Sequence, residues 1–204
     1  VTMPHGLILV TGPTGSGKTT TLYGALQELN VIDKKIISVE DPVEYKLQRI
    51  NQVQINEKID LDFARVLRSA LRQDPDILMV GEIRDRETAD IALRAAMTGH
   101  LVLSTLHTND ALASAMRLVD MGVEGFLAAT ALRALVAQRL VRRLCESCKQ
   151  VHVIDESERL WLGPLLKNHS SSATFFKASG CHRCNNTGYR GRVGVFEMLV
   201  MNQE

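Results

Sequence analysis

The run Gly12-Pro13-Thr14-Gly15-Ser16-Gly17-Lys18-Thr19 fits the pattern G-x-x-x-x-G-K-[ST]; before it stands the apolar run Leu7-Ile8-Leu9-Val10, and a stretch with helical spacing follows from Lys18 to Leu29. A strand, a glycine-rich turn and a helix in that order form the phosphate-binding start of an α/β sheet. Glycines at 12, 15 and 17 let the backbone curl until successive N–H groups converge, and the positive end of the helix dipole points at the same place. Lys18 is then placed for the β and γ phosphates, and the Thr19 hydroxyl for Mg²⁺. With Thr20 opening the helix, Gly12 to Thr20 is the expected nucleotide-binding set and ATP or GTP the expected ligand.

The rest of the chain keeps that rhythm. Ile36-Ile37-Ser38-Val39, Ile77-Leu78-Met79-Val80 and Leu101-Val102-Leu103-Ser104 are short buried-strand runs. Between them Phe63, Val66, Leu67, Ala70 and Leu71 predict an amphipathic helix over 62–72, stopped by Asp74-Pro75-Asp76, and a second helix spans 86–98 with Asp85 as its cap and Gly99 as its stop. Apolar strands alternating with helices indicate a parallel sheet covered on both faces. Residues 45–55 are polar and alternating, as in a hairpin or surface flap, and after Asn109 the pattern reads as helical almost to Arg143. Val193 to Met201 reads as a strand, and Ser170-Ser171-Ser172 is the one low-complexity tract. With 204 residues, 24 Lys and Arg against 23 Asp and Glu, and a formal charge of +1, the chain has room for one domain with an appendage. It has no global field to attract nucleic acid or anionic lipid. No apolar stretch reaches the length of a membrane span, and Val1-Thr2-Met3-Pro4-His5 lacks the pattern of a signal segment, so a cytoplasmic protein is expected. Opening on Val1 and closing at Glu204 just after a strand-like run, the chain is expected to be a piece of a longer protein.

Hydrolysis of a nucleoside triphosphate needs an acid that holds Mg²⁺ and a group that positions or deprotonates the attacking water, both at strand ends beside the phosphate loop. Two strand ends qualify. Ile77 to Val80 runs into Gly81-Glu82, the form of a Walker B motif with glycine in place of the usual aspartate. Ile36 to Val39 runs into Glu40-Asp41-Pro42-Val43-Glu44. Spacing does not decide whether Glu40 or Glu82 is the general base. His107 follows the fourth strand, close to where a γ-phosphate would sit, with Ser104, Thr105 and Thr108 expected to be available nearby; it is either a phosphate sensor or a structural histidine, and His100 is more simply structural. Arg68 and Arg72, one turn apart on an exposed helix face, are either solvated arginines or arginine fingers given to a neighbouring subunit, which requires an oligomer.

All four cysteines fall in two C-x-x-C pairs, Cys145/Cys148 and Cys181/Cys184. Four thiolates match tetrahedral Zn²⁺, and a structural metal suits a segment without an obvious core of its own. Disulfides are the main competitor, disfavoured in a cytosolic nucleotide-binding protein. Redox activity of either pair, or His152 and His182 as substitute ligands, are minor readings. A nucleic-acid-binding lobe would need a clearer stacking and phosphate-binding surface than Trp161, Phe175, Phe176 and a few arginines supply.

Taken together these residues resemble the traffic ATPases of type II secretion and type IV pilus assembly, the general secretion pathway protein E family, over nearly the whole chain. The family's four boxes appear in order: Gly12 to Thr19 as Walker A, Val39-Glu40-Asp41-Pro42-Val43-Glu44-Tyr45 as the aspartate box, Val80-Gly81-Glu82-Ile83-Arg84-Asp85 as Walker B, and Thr98-Gly99-His100 through Thr105-Leu106-His107-Thr108-Asn109 as the histidine box. Arg68 and Arg72 fall where the family carries its trans-acting arginines. The tetracysteine segment and Asn185 to Glu197 resemble the secretion and pilus-extension branch, with wording nearest the extension ATPase of mannose-sensitive haemagglutinin-type pili. The resemblance implies a RecA-like α/β P-loop fold with a parallel-dominated central sheet. It implies an ATPase core over 1–142, a zinc lobe over 143–190 and a return strand over 191–204, with an N-terminal domain and C-terminal helices lying outside this chain. It further implies ATP, Mg²⁺ and structural Zn²⁺ as cofactors, a homo-hexamer, and attachment through partners to an inner-membrane platform and cytoplasmic assembly proteins at the cytoplasmic face, with no nucleic acid. The rival functions are a P-loop kinase of a small molecule, for which neither a lid nor an acceptor base is visible, and a nucleic-acid motor, which the near-neutral charge disfavours.

Overall fold

The computed structural model describes residues 3–166 and 174–201; the serine run at 170–172 lies outside the described residues. Seven strands form one sheet in the order β3-β2-β4-β5-β1-β6-β9, where β1 is Gly6–Thr11, β2 Ile36–Glu40, β3 Ile50–Gln54, β4 Ile77–Val80, β5 Leu101–Leu106, β6 Leu132–Leu144 and β9 Tyr189–Val200. The pairings β3-β2, β2-β4, β4-β5, β5-β1 and β1-β6 are all parallel. This is the expected α/β class with a parallel-dominated sheet, and the two-period alternation along each strand explains how both faces are covered.

Leu7 and Leu9 of β1, Ile37 and Val39 of β2, and Leu78 and Val80 of β4 turn to one face. There they pack on Val66 and Leu67 of α2 (Phe63–Ala70), Ala92 and Leu93 of α3 (Arg86–Met97), Leu118 of α4 (Ala111–Asp120) and Leu127 of α5 (Gly125–Ala131). Val10, Ile36, Ile77, Met79 and Leu103 turn to the other face against Leu22, Tyr23 and Leu26 of α1 (Lys18–Leu29). Side chains so placed are each worth about 1.5–3 kcal/mol of burial. Local chemistry fixes the helix starts: Asp62, Asp85 and Asp110 each accept a hydrogen bond from the backbone N–H three residues on.

Two sequence expectations are corrected. Residues 50–54 are neither hairpin nor flap but a parallel edge strand, with Ile36 opposite Ile50 and Glu40 opposite Gln54. The helical pattern after Asn109 stops at Ala131, and Leu132 to Leu144 is extended. Leu132, Leu135 and Ala137 carry apolar groups at a spacing that suits either period, and the open edge of β1 decides the matter by pairing Leu9 with Leu135 and Thr11 with Ala137.

The chain divides into two compact units, 1–139 with 194–204, and 140–193. The second contains β7 (Gln150–His152) paired antiparallel with β8 (Phe175–Lys177), and α6 (Glu156–Leu166).

Candidate functional site

The glycine-rich loop leaves β1 at Thr11 and enters α1 at Lys18, where parallel-sheet proteins hold phosphate. Gly12 has φ +143°, and a Cβ there would lie 2.2 Å from the Gln138 carbonyl oxygen of β6, so only glycine lets the loop start this close to the neighbouring strand. Lys18 is buried and its Nζ donates to the Gly12 carbonyl at 2.9 Å and the Pro13 carbonyl at 3.2 Å. Burial lowers its pKa and the charge of Glu82 opposes that shift. The Ser16 hydroxyl is buried without a hydrogen-bond partner among the described residues. An orphaned hydroxyl, a helix N-terminus and a lysine resting on its own loop carbonyls fit a triphosphate. Pro13, Thr14, Gly15 and Thr20 are exposed around them.

Glu82 emerges from the end of β4. One oxygen takes a hydrogen bond from Arg84 and the other lies 3.3 Å from His107 Nε2. Partial burial opposes its charge, but Arg84 and then His107 outweigh that and hold the carboxyl below the usual range. Arg84 also bonds Asp41 at 3.1 Å and lies over the Phe63 ring, so one guanidinium ties the acids after β2 and β4 together. Gly81 has a steric reason: a Cβ would press on the Val39 carbonyl at 3.2 Å, where the Gly81 N–H already donates at 2.7 Å.

Glu40 ends β2 and is 2% exposed. Its carboxylate accepts from the Tyr23 hydroxyl, the Ser38 hydroxyl and, at 3.1 Å, Gln52 Nε2. Burial, then the neighbouring Glu40, drives the Tyr23 phenol well above its ordinary pKa. Unlike Glu82, Glu40 is held by neutral donors only, among the described residues.

The hydroxyls expected around His107 are engaged elsewhere. Ser104 donates to the Val80 carbonyl and Thr105 to that of Gly81, each at 2.8 Å, fixing the Walker B turn, while Thr108 pairs with Ser114 at 2.6 Å. His100 Nδ1 lies 3.0 Å from the Ala95 carbonyl at the end of α3. Arg68 pairs with Glu87, and Arg72 reaches only Ser69 Oγ at 3.5 Å; among the described residues neither bonds the phosphate loop or the strand-end acids. Tyr23, Arg84 and Gln138 were not singled out from the sequence, because their roles follow from which strand lies beside which.

In the second unit Cys145, Cys148, Cys181 and Cys184 bring their sulfurs within 4.8 Å of one another. The Cys145–Cys181, Cys148–Cys184 and Cys181–Cys184 separations are 4.0, 3.8 and 3.8 Å. A disulfide needs about 2.05 Å, whereas a tetrahedron with Zn–S near 2.3 Å has edges of about 3.8 Å. The donor set therefore fits zinc. Burial opposes ionisation of Cys184, yet the N–H groups of Cys181 and Gly188 and the nearby thiols outweigh it and bring its pKa to about 6; burial and then the neighbouring thiols push Cys148 up to about 11.

The family model described as "Type II/IV secretion system protein" matches residues 1–204. Type II secretion system protein E of Dickeya dadantii is 55% identical over 199 residues, covering 98% of this chain and 39% of the relative. Type II secretion system ATPase E of Vibrio cholerae is 53% identical over 199 residues, with 98% and 39% covered. The chain thus spans about two fifths of the length of these relatives. The crystal structure of the pilus retraction motor PilT with bound ADP superposes with a TM-score of 0.69 at 34% identity, over 98% of this chain and 48% of that one.

Proposed function

The chain belongs to the type II/IV secretion system protein family, and from that premise we propose that it is the ATP-hydrolysing core of a motor that powers type II protein secretion or type IV pilus assembly. The observation that carries this reading is the strand-to-helix phosphate loop itself, with Lys18 buried on the Gly12 and Pro13 carbonyls and the Ser16 hydroxyl unpartnered among the described residues. The ADP-bound pilus motor of the same architecture supports it.

The two acids divide the work by their surroundings. Glu82, kept ionised by Arg84 and His107, is a weak base and a good metal ligand, so it holds Mg²⁺ together with Thr19. Mg²⁺, when bound there, supplies neutralisation of the phosphate charge. Glu40, held by neutral donors, accepts the proton of the attacking water as its oxygen adds to the γ-phosphorus and the bond to the ADP oxygen breaks. Lys18 leaves the Gly12 and Pro13 carbonyls for the phosphates, and His107 registers the γ-phosphate through its contact with Glu82. Arg68 and Arg72, exposed on α2 and the turn after it, serve a neighbouring subunit's phosphates in a homo-hexamer. Closure of each subunit on ATP is passed to an inner-membrane platform and cytoplasmic assembly proteins at the cytoplasmic face. The four cysteines hold one structural Zn²⁺.

Steady-state phosphate release tests the reading. Lys18→Ala and Glu40→Gln should each abolish turnover, Glu40→Gln with ATP binding retained. Turnover unchanged in either variant contradicts the assignment.

A further inference from the structure

Gln138 lies on β6 one residue beyond Ala137, the partner of Thr11, and so stands where β1 gives way to the phosphate loop. Its side chain is 3% exposed, and both ends of its amide are engaged. Nε2 donates to the Ser16 carbonyl at 2.6 Å, and Oε1 accepts from the Thr21 hydroxyl at 2.7 Å. The orientation is chemically determined, because a carbonyl oxygen can only accept and so requires the NH₂ end to face it.

The consequence lies in the peptide plane. In a trans peptide the carbonyl and the N–H of the next residue point in opposite directions. Fixing the Ser16 carbonyl toward the Gln138 side chain of β6 therefore turns the Gly17 N–H away from that side chain. Gly17 sits at φ +86°, where a peptide flip meets little steric resistance, so an external restraint on that plane matters. Thr21, one turn into α1, ties the same glutamine to the helix whose N-terminus faces the phosphates. Together the three groups make a brace from β6 through the loop to α1.

We propose that Gln138 is a positioning residue for nucleotide binding, one that sets the Gly17 amide toward the phosphates, with Thr21 locking Gln138 in turn. The proposal deepens the nucleotide-site reading of Gly12–Thr19 and rests on it. The brace makes no contact with the ligand itself. It lowers the cost of ordering the loop when phosphate arrives.

Equilibrium binding of a fluorescent, non-hydrolysable ATP analogue with Mg²⁺ to the full chain tests it, alongside thermal midpoints. Gln138→Met keeps the volume and removes both polar ends, and Thr21→Val removes only the donor to Oε1. Each should weaken binding about tenfold, as expected for a lost buried hydrogen bond. The double variant should bind no more weakly than the weaker single, because both substitutions break one brace. In turnover, KM should rise with kcat held within about twofold of wild type. Binding equal to wild type in the single variants, or losses that multiply in the double, overturns the proposal, as does a lowered midpoint with unchanged affinity. If Gln138→Met does not fold, Thr21→Val carries the same test. Lys18→Ala in the same assay separates the two levels: binding that survives it removes the nucleotide-site reading, whereas binding lost there but unchanged in Gln138→Met and Thr21→Val removes only the brace.

Discussion

The two compact units of the chain solve the problem of staying folded in different ways. In 1–139 with 194–204, strand after strand is aliphatic and fully covered: Leu7, Leu9, Val39, Leu78, Val80 and Leu135 are all 0% exposed. In 140–193 the buried residues, among those described, are Cys145, Cys184 and Gly188, while Val153 is 86% and Trp161 80% exposed. A unit that buries little except sulfur has little hydrophobic driving force, and its four thiols stand at the spacing a metal demands. The first unit is held by packing, and it carries the phosphate loop, Glu40, Glu82 and His107. The second, on the proposed reading, is held by the zinc that its four cysteines would ligate.

Stripping the metal should therefore produce the largest asymmetry. Structural zinc in small domains contributes about 10–16 kcal/mol of binding free energy near neutral pH, so a chelator should expose the amides of 140–193 to hydrogen exchange and all four thiols to alkylation while the 1–139 strands stay protected. Protection of 140–193 that persists without metal would break the comparison. A smaller effect is expected from truncating the packed core: Leu78→Ala should cost about 2–5 kcal/mol in urea unfolding, against Val153→Ala within about 0.5 kcal/mol. Equal costs would mean that the second unit packs more than its exposure shows. Next comes Gly81→Ala, whose Cβ would press on the Val39 carbonyl; a loss of about 1–3 kcal/mol is expected from that overpacking.

The smallest effect is electrostatic and again confined to the first unit. Glu82 has its pKa lowered on folding, so its contribution to stability is complete above the ordinary carboxylate value of about 4.3 and is lost as pH falls through the lowered folded value. Arg84→Met should remove that contribution and flatten the acid side of the stability profile. An unchanged profile would mean that Arg84 does not hold the charge.

The sequence was most legible where chemistry is local. The phosphate loop, the starts and stops of α1 and α3, the Asp85 cap and the strand-end position of Glu82 follow from residues near one another in the chain. The extended form of 132–144 was not legible, because Leu and Ala at that spacing satisfy a helix until the edge of β1 claims them. The same limit hid the parallel pairing of 50–54, and with it Gln52 as a partner of Glu40. Arg84 was visible only as part of a motif. Its tie between Asp41 and Glu82 needs β2 and β4 side by side, a fact of sheet order and not of spacing.

A nucleotide should act at the phosphate loop of the first unit and nowhere near the cysteines. Amide hydrogen exchange with and without a non-hydrolysable ATP analogue and Mg²⁺ should show new protection at Gly15 to Thr19, with 145–184 unaltered. Unchanged exchange in that loop, or protection appearing around the cysteines instead, would contradict it.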